Sequence, residues 1–133
     1  MRVHNQYRWW AMLTGLFASL TVYGLTRTPA NYATPIFQTI RATASLEVWA
    51  LAWATVAVLA FVAAATRRAA IWIASSMAAI FCGVSWLAGI SWEAWIDGTR
   101  LSLTGWGLWA FLVCTHGMLV AFWTLEGTDG EWE

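Results

Sequence analysis

Four stretches of this chain are almost uninterrupted in their apolar side chains, at 9–26, 46–66, 69–90 and 103–125. Each is close to the roughly 20 residues that a helix needs to cross the hydrocarbon of a bilayer. A backbone in hydrocarbon must pair its own N–H and C=O groups, so each stretch is predicted to be α-helical. The second and third are joined by Arg67-Arg68 alone. Two adjacent guanidiniums in so tight a turn belong at a membrane surface, and the arginine bias of short loops makes that surface the cytoplasmic one. The pattern predicts an all-α, four-helix transmembrane bundle, one domain over residues 1–133, with both termini cytoplasmic. Arg67 and Arg68 are its topology anchors.

The connections add detail. A basic start, Arg2, His4 and Arg8, precedes the first apolar stretch, as it would in a signal peptide. The only cleavage site on offer, Thr28-Pro29-Ala30, contains a proline and follows Arg27, so retention as a first span is the reading preferred. Pro29 and Pro35 interrupt any helix across the long connection that follows. Ile36, Phe37 and Ile40 share one side there, which predicts either a short interfacial helix or a lid over the bundle. Ser45 is placed to cap the second span, with Glu47 in its first turn, where the helix dipole favours a carboxylate. In Ser91–Gly98, Trp92, Trp95 and Ile96 share one face and Glu93 and Asp97 another. That predicts a short amphipathic turn with its tryptophans toward the membrane and its acids toward water. Residues 126–133 form a short acidic tail.

Composition strengthens the membrane reading. Of 133 residues, 60% are hydrophobic and 11% charged, against roughly 25% charged in a soluble domain. Seven arginines balance seven carboxylates with no lysine, so no basic surface recommends nucleic acid as a partner. Arginine without lysine fits a GC-rich coding genome. Twelve tryptophans are many for this length. Trp9, Trp10, Trp49, Trp72, Trp92, Trp95, Trp106 and Trp123 fall near predicted span ends, where the indole sits at headgroup level. Trp53, Trp86 and Trp109 fall deeper.

Candidate chemistry is sparse. In the fourth span Gly107, Ala110, Cys114, Gly117, Ala121 and Thr124 recur at alternating steps of three and four, a seam of small residues that lets helices approach closely in lipid. Shorter series are Ala11, Gly15 and Ser19 in the first span and Ser75, Ala79 and Gly83 in the third. His116 is the one ionisable residue deep in a span, and burial in hydrocarbon obliges it to face protein or water. Its expected state is a neutral imidazole bonded to a serine, threonine or carbonyl of another helix, with a proton-relay or pore-lining role as the alternative. Cys82 and Cys114 fall mid-span without a CxxC spacing, and two thiols with one imidazole make no metal motif. A haem pair would need a second intramembrane histidine, and His4 lies outside the span. No nucleophile elbow, HExxH, P-loop or dinucleotide fingerprint is present. No catalytic residue, cofactor or metal is therefore expected.

A small arginine-only, Trp- and Ala-rich chain with four spans and the Arg67-Arg68 turn resembles the small multi-span membrane proteins of bacteriophages that infect actinobacteria. Some of those sit among lysis genes and are regarded as holin-like. The resemblance is architectural and implies a non-enzymatic protein that self-associates in the bacterial inner membrane. The alternatives are an accessory subunit of a larger membrane complex and a small proton-conducting or transport protein using His116. The expected partners are the lipid bilayer and either itself or other membrane proteins.

Overall fold

The computed structural model describes residues 5–97 and His116, and within them the chain is all-helical. Four α-helices appear in order: α1 (Asn5–Arg27), α2 (Gln38–Thr43), α3 (Leu46–Thr66) and α4 (Ala69–Asp97). Two 3-10 turns, Pro29–Tyr32 and Pro35–Phe37, lie between α1 and α2, each with its proline at the start, where a missing N–H costs nothing. α3 and α4 are long and apolar enough to cross a membrane. α1 is long enough at 23 residues but carries Thr14, Ser19, Thr21 and Thr26, which lower its apolarity. All four hydroxyls donate to carbonyls four residues back, at 2.7–3.0 Å, so the helix satisfies its own polar groups.

α3 is the middle helix. α1 runs antiparallel to it, with Tyr7 and Ala11 near Ala63 and Ala64 at one end and Leu25 near Trp49 and Ala50 at the other. α4 packs antiparallel on another side of α3, and α1 and α4 barely meet. This follows from two buried stripes on α3: Trp49, Trp53, Val56, Ala60 and Ala63 at steps of four and three, and Ala50, Ala57 and Ala64 at steps of seven. At ~100° per residue the stripes lie roughly 80° apart, so one helix can seat two neighbours. Ser45 caps α3, accepting from the Val48 N–H, and Glu47 in the first turn is exposed.

The turn into α4 is Arg67-Arg68 only. Arg67 has φ 54° and ψ 23°, the left-handed conformation that closes a helix by returning its N–H to the Ala63 carbonyl at 2.9 Å. Glycine is the usual residue there because it has no Cβ to crowd the carbonyl.

Small residues fill much of the interior seams: Ala11, Gly15 and Ala18 on α1, five buried alanines among the eight of α3, and Ser75, Ala79 and Gly83 on α4, with Trp53, Val56 and Trp86 the large residues among them. The outward stripes are large and apolar: Leu13, Leu16, Leu20 and Tyr23 on α1, Leu51 and Val58 on α3, and Met77, Phe81 and Val84 on α4.

The segment between α1 and α3 closes over one end of the three long helices. Ile40 is the wedge. It is 2% exposed and lies against Gly89, where an added Cβ would come within 2.8 Å of Ile40 Cγ1. Ile36 and Phe37 pack on the same core, so the lid form of the connection is the one adopted. Gly89→Ala is expected to lift this lid and lower stability by about 1–3 kcal/mol, the range for overpacking. Thermal unfolding of the purified protein against the unsubstituted chain measures it, and an unchanged midpoint contradicts the packing.

One sequence expectation is corrected. Ser91–Asp97 is no separate turn: α4 continues unbroken through it. One of its faces also departs from the prediction: Trp92, Trp95 and Ile96 are on the outside, but Glu93 is buried instead of facing water. The reason is the lid, whose polar Thr39 lies on the Glu93 side and gives the carboxyl a partner that the local sequence does not contain.

Candidate functional site

Trp86 of α4 is the centre of the lidded end. Its ring meets Tyr32 at 5.8 Å, Phe37 at 5.9 Å, Trp49 at 5.9 Å and Trp53 at 5.9 Å between centroids, all edge-to-face. Edge-to-face pairing sets the positive rim of one ring against the negative face of the next. The four partners come from the first 3-10 turn, the second 3-10 turn and α3, so one side chain ties three segments together. Trp53 and Trp86 are wholly buried. Burial also raises the Tyr32 phenol above its ordinary range, keeping it protonated.

Two hydrogen bonds then fasten α2. The Trp49 indole N–H donates to the Ile40 carbonyl at 2.9 Å, a carbonyl that also accepts from the Thr43 hydroxyl at 2.8 Å. The Thr39 hydroxyl donates to the Glu93 carboxyl. The first bond holds α2 to α3, the second holds it to α4.

Below α2 a lateral groove of about 750 Å³ opens between α3 and α4. Its walls include Val48 and Ala52 of α3 and Phe81, Ser85 and Trp92 of α4, with Thr39 and Thr43 at the roof. Among the described residues its lining has no ionisable side chain. Ser85 spends its proton on the Phe81 carbonyl at 2.8 Å. This surface offers an apolar slot and a few hydroxyls, with nothing to transfer a proton or attack a carbonyl.

The second polar feature is on α1. His116 is buried, and its Nε2 lies 2.7 Å from Thr14 Oγ1. The Thr14 hydroxyl also reaches the Trp10 carbonyl at 2.8 Å. A threonine has one proton to give. When Thr14 gives it to Trp10, its oxygen is left to accept from an Nε2–H of the imidazole. The arrangement sets the His116 side chain against the middle of α1.

Of the residues singled out from sequence, Arg67 and Arg68 stand at the α3–α4 turn. Gly107, Ala110, Cys114, Gly117, Ala121 and Thr124 lie outside the described residues. Cys82 is buried in the core as a free thiol. Among the described residues no three His, Cys, Asp or Glu side chains converge as metal ligands would. Sequence reasoning missed Thr39, Glu93, Trp49 and Trp86 as a group. The only advance signal was Ile40, whose apolar side had to be covered by something.

No family model, curated protein or solved structure matches this chain.

Proposed function

We propose that this chain is a non-enzymatic, multi-pass membrane protein of holin type, which accumulates in a bacterial inner membrane and acts by associating with copies of itself. The observation that carries the membrane part is the apolar outside of the three long helices. Leucines, phenylalanine and valines stand exposed on α1, α3 and α4, while alanine, glycine and serine fill much of the seams between them around the buried Trp53, Val56 and Trp86. A water-soluble bundle does the reverse, because burying large apolar groups is what drives it together. In lipid the outside is as apolar as the inside, and small seams are favoured because they let backbones approach. The second span 46–66 and the third 69–90 coincide with α3 and most of α4. The predicted first span lies within α1, and the segment 103–125 completes the proposed four. The positive-inside tendency sets Arg67 and Arg68 on the cytoplasmic side and the lid on the outer side.

Self-association is supported by the small-residue seam proposed for 107–124 and by the architectural resemblance to holin-like phage proteins.

Induced expression in a bacterium tests this reading. Once the protein passes a threshold, membrane potential should collapse within minutes and viable counts should fall by orders of magnitude. Cells that hold their potential and keep dividing at high expression overturn the holin type. Recovery of the full chain in the soluble fraction without detergent overturns the membrane placement itself.

A further inference from the structure

A small polar pocket lies at the end of the molecule opposite the lid. Its volume is about 300 Å³, and Arg8, Trp9 and Met12 of α1 and Arg67 of the α3–α4 turn line it. Two arginines from separate segments, the exposed Arg8 and the half-buried Arg67, therefore line one cavity. Among the described residues neither makes an ion pair with a carboxylate. The acidic residues of α3 and α4, Glu47, Glu93 and Asp97, belong to the helix ends away from the Arg67-Arg68 turn. Like charges brought to one cavity repel, and an anion between them offsets that repulsion.

Arg67 gives a second, independent indication. It holds a left-handed backbone, φ 54°, at a helix-closing position where glycine would fit without strain. A non-glycine residue there costs about 1 kcal/mol. Observed strain of this kind is a pointer to what the side chain does. The conformation turns the residue off the axis of α3, and its side chain is half-buried against the pocket instead of free in solvent, while Arg68 next to it is exposed and no part of the lining.

We infer that Arg8 and Arg67 form a binding site for a phosphate group, with the Trp9 indole beside it. Guanidinium is the side chain suited to the task, since its planar fork of N–H donors matches two phosphate oxygens at once. One source of such a group is the headgroup of an anionic phospholipid in the cytoplasmic leaflet. That source rests on the membrane placement proposed above, and there Trp9, 66% exposed, has the interfacial position that indoles favour. The other source is a free phosphate anion, which needs no membrane.

The test uses the full chain, purified in mild detergent, stripped of lipid and held in a phosphate-free buffer. Its thermal midpoint is followed while phosphatidylglycerol, phosphatidylcholine or inorganic phosphate is titrated in. Phosphatidylglycerol is expected to raise the midpoint saturably, phosphatidylcholine to raise it far less. Arg8→Gln and Arg67→Gln should each weaken the apparent affinity by at least about tenfold, the loss of one charge-assisted bond. Arg68→Gln removes the same charge from the same turn and should leave the affinity within about twofold, since its side chain does not line the pocket. Arg67→Gly relieves the backbone strain, so it should fold at least as stably in the absence of ligand and still lose the ligand effect. That separates loss of binding from loss of structure.

A saturable rise with inorganic phosphate that depends on Arg8 and Arg67, with none from phosphatidylglycerol, assigns the same site to a soluble anion. The proposal is overturned if neither anion shifts the midpoint, if phosphatidylcholine equals phosphatidylglycerol, or if Arg68→Gln costs as much affinity as Arg67→Gln. Failure here leaves the membrane placement standing, because that is read from fractionation.

Discussion

Trp86→Ala is expected to destabilise the fold by about 3–5 kcal/mol, the range for removing a fully buried large aromatic. The indole is 1% exposed and meets four aromatic rings from three other segments. On the membrane placement proposed above, the loss does not come from exposure to water, because lipid covers apolar surface as well as protein does. It comes from the unfilled space and the contacts its neighbours forfeit, which lipid chains cannot restore inside a close-packed core. Trp92→Ala is the matched control. Trp92 is 58% exposed on the same helix, and its loss should stay within about 0.5 kcal/mol. Denaturation of both variants in the same detergent decides the matter, and equal losses would show that Trp86 is not the organiser of this end.

Thr39→Val is the second large effect. It keeps the shape of the side chain and removes the hydroxyl that donates to Glu93. Glu93 is 7% exposed, so its carboxyl oxygen is left buried without that donor, at a cost of about 1–3 kcal/mol. Thr39→Ser, which retains the hydroxyl, should recover most of the difference. Hydrogen exchange adds the location: amides of α2 should exchange faster in the valine variant, and those in the middle of α3 should not. A valine variant as stable as the serine variant would mean that the bond does not hold the lid.

These two residues also mark where reading the chain by itself stopped. Ser45 was legible because capping is local: a hydroxyl, an extended backbone and the N–H three residues on are all within one turn. The two-residue Arg67-Arg68 turn was legible for the same reason, since neither guanidinium can enter hydrocarbon. Glu93 was misread because the helix-face rule compares a residue only with its own neighbours in sequence. Its burial depends on Thr39, 54 positions earlier. Trp49 and Trp72 were placed at the membrane–water boundary, where an indole is usually at ease, yet both are buried against other rings of this chain. His116 was expected to need a polar partner on another helix, but nothing near it in sequence could name Thr14.

The chain alone determined the bounds of α3, its cap and the tight basic turn, because these follow from hydrogen bonding and charge within a few residues. Only the tertiary structure decided which side of each helix faces inward. A helix that is apolar on every side carries no contrast between its faces, so periodicity cannot orient it. Orientation came instead from size and shape: alanine seams brought α1 to α3, Gly89 admitted Ile40, and one buried tryptophan gathered the rings of the lid around itself.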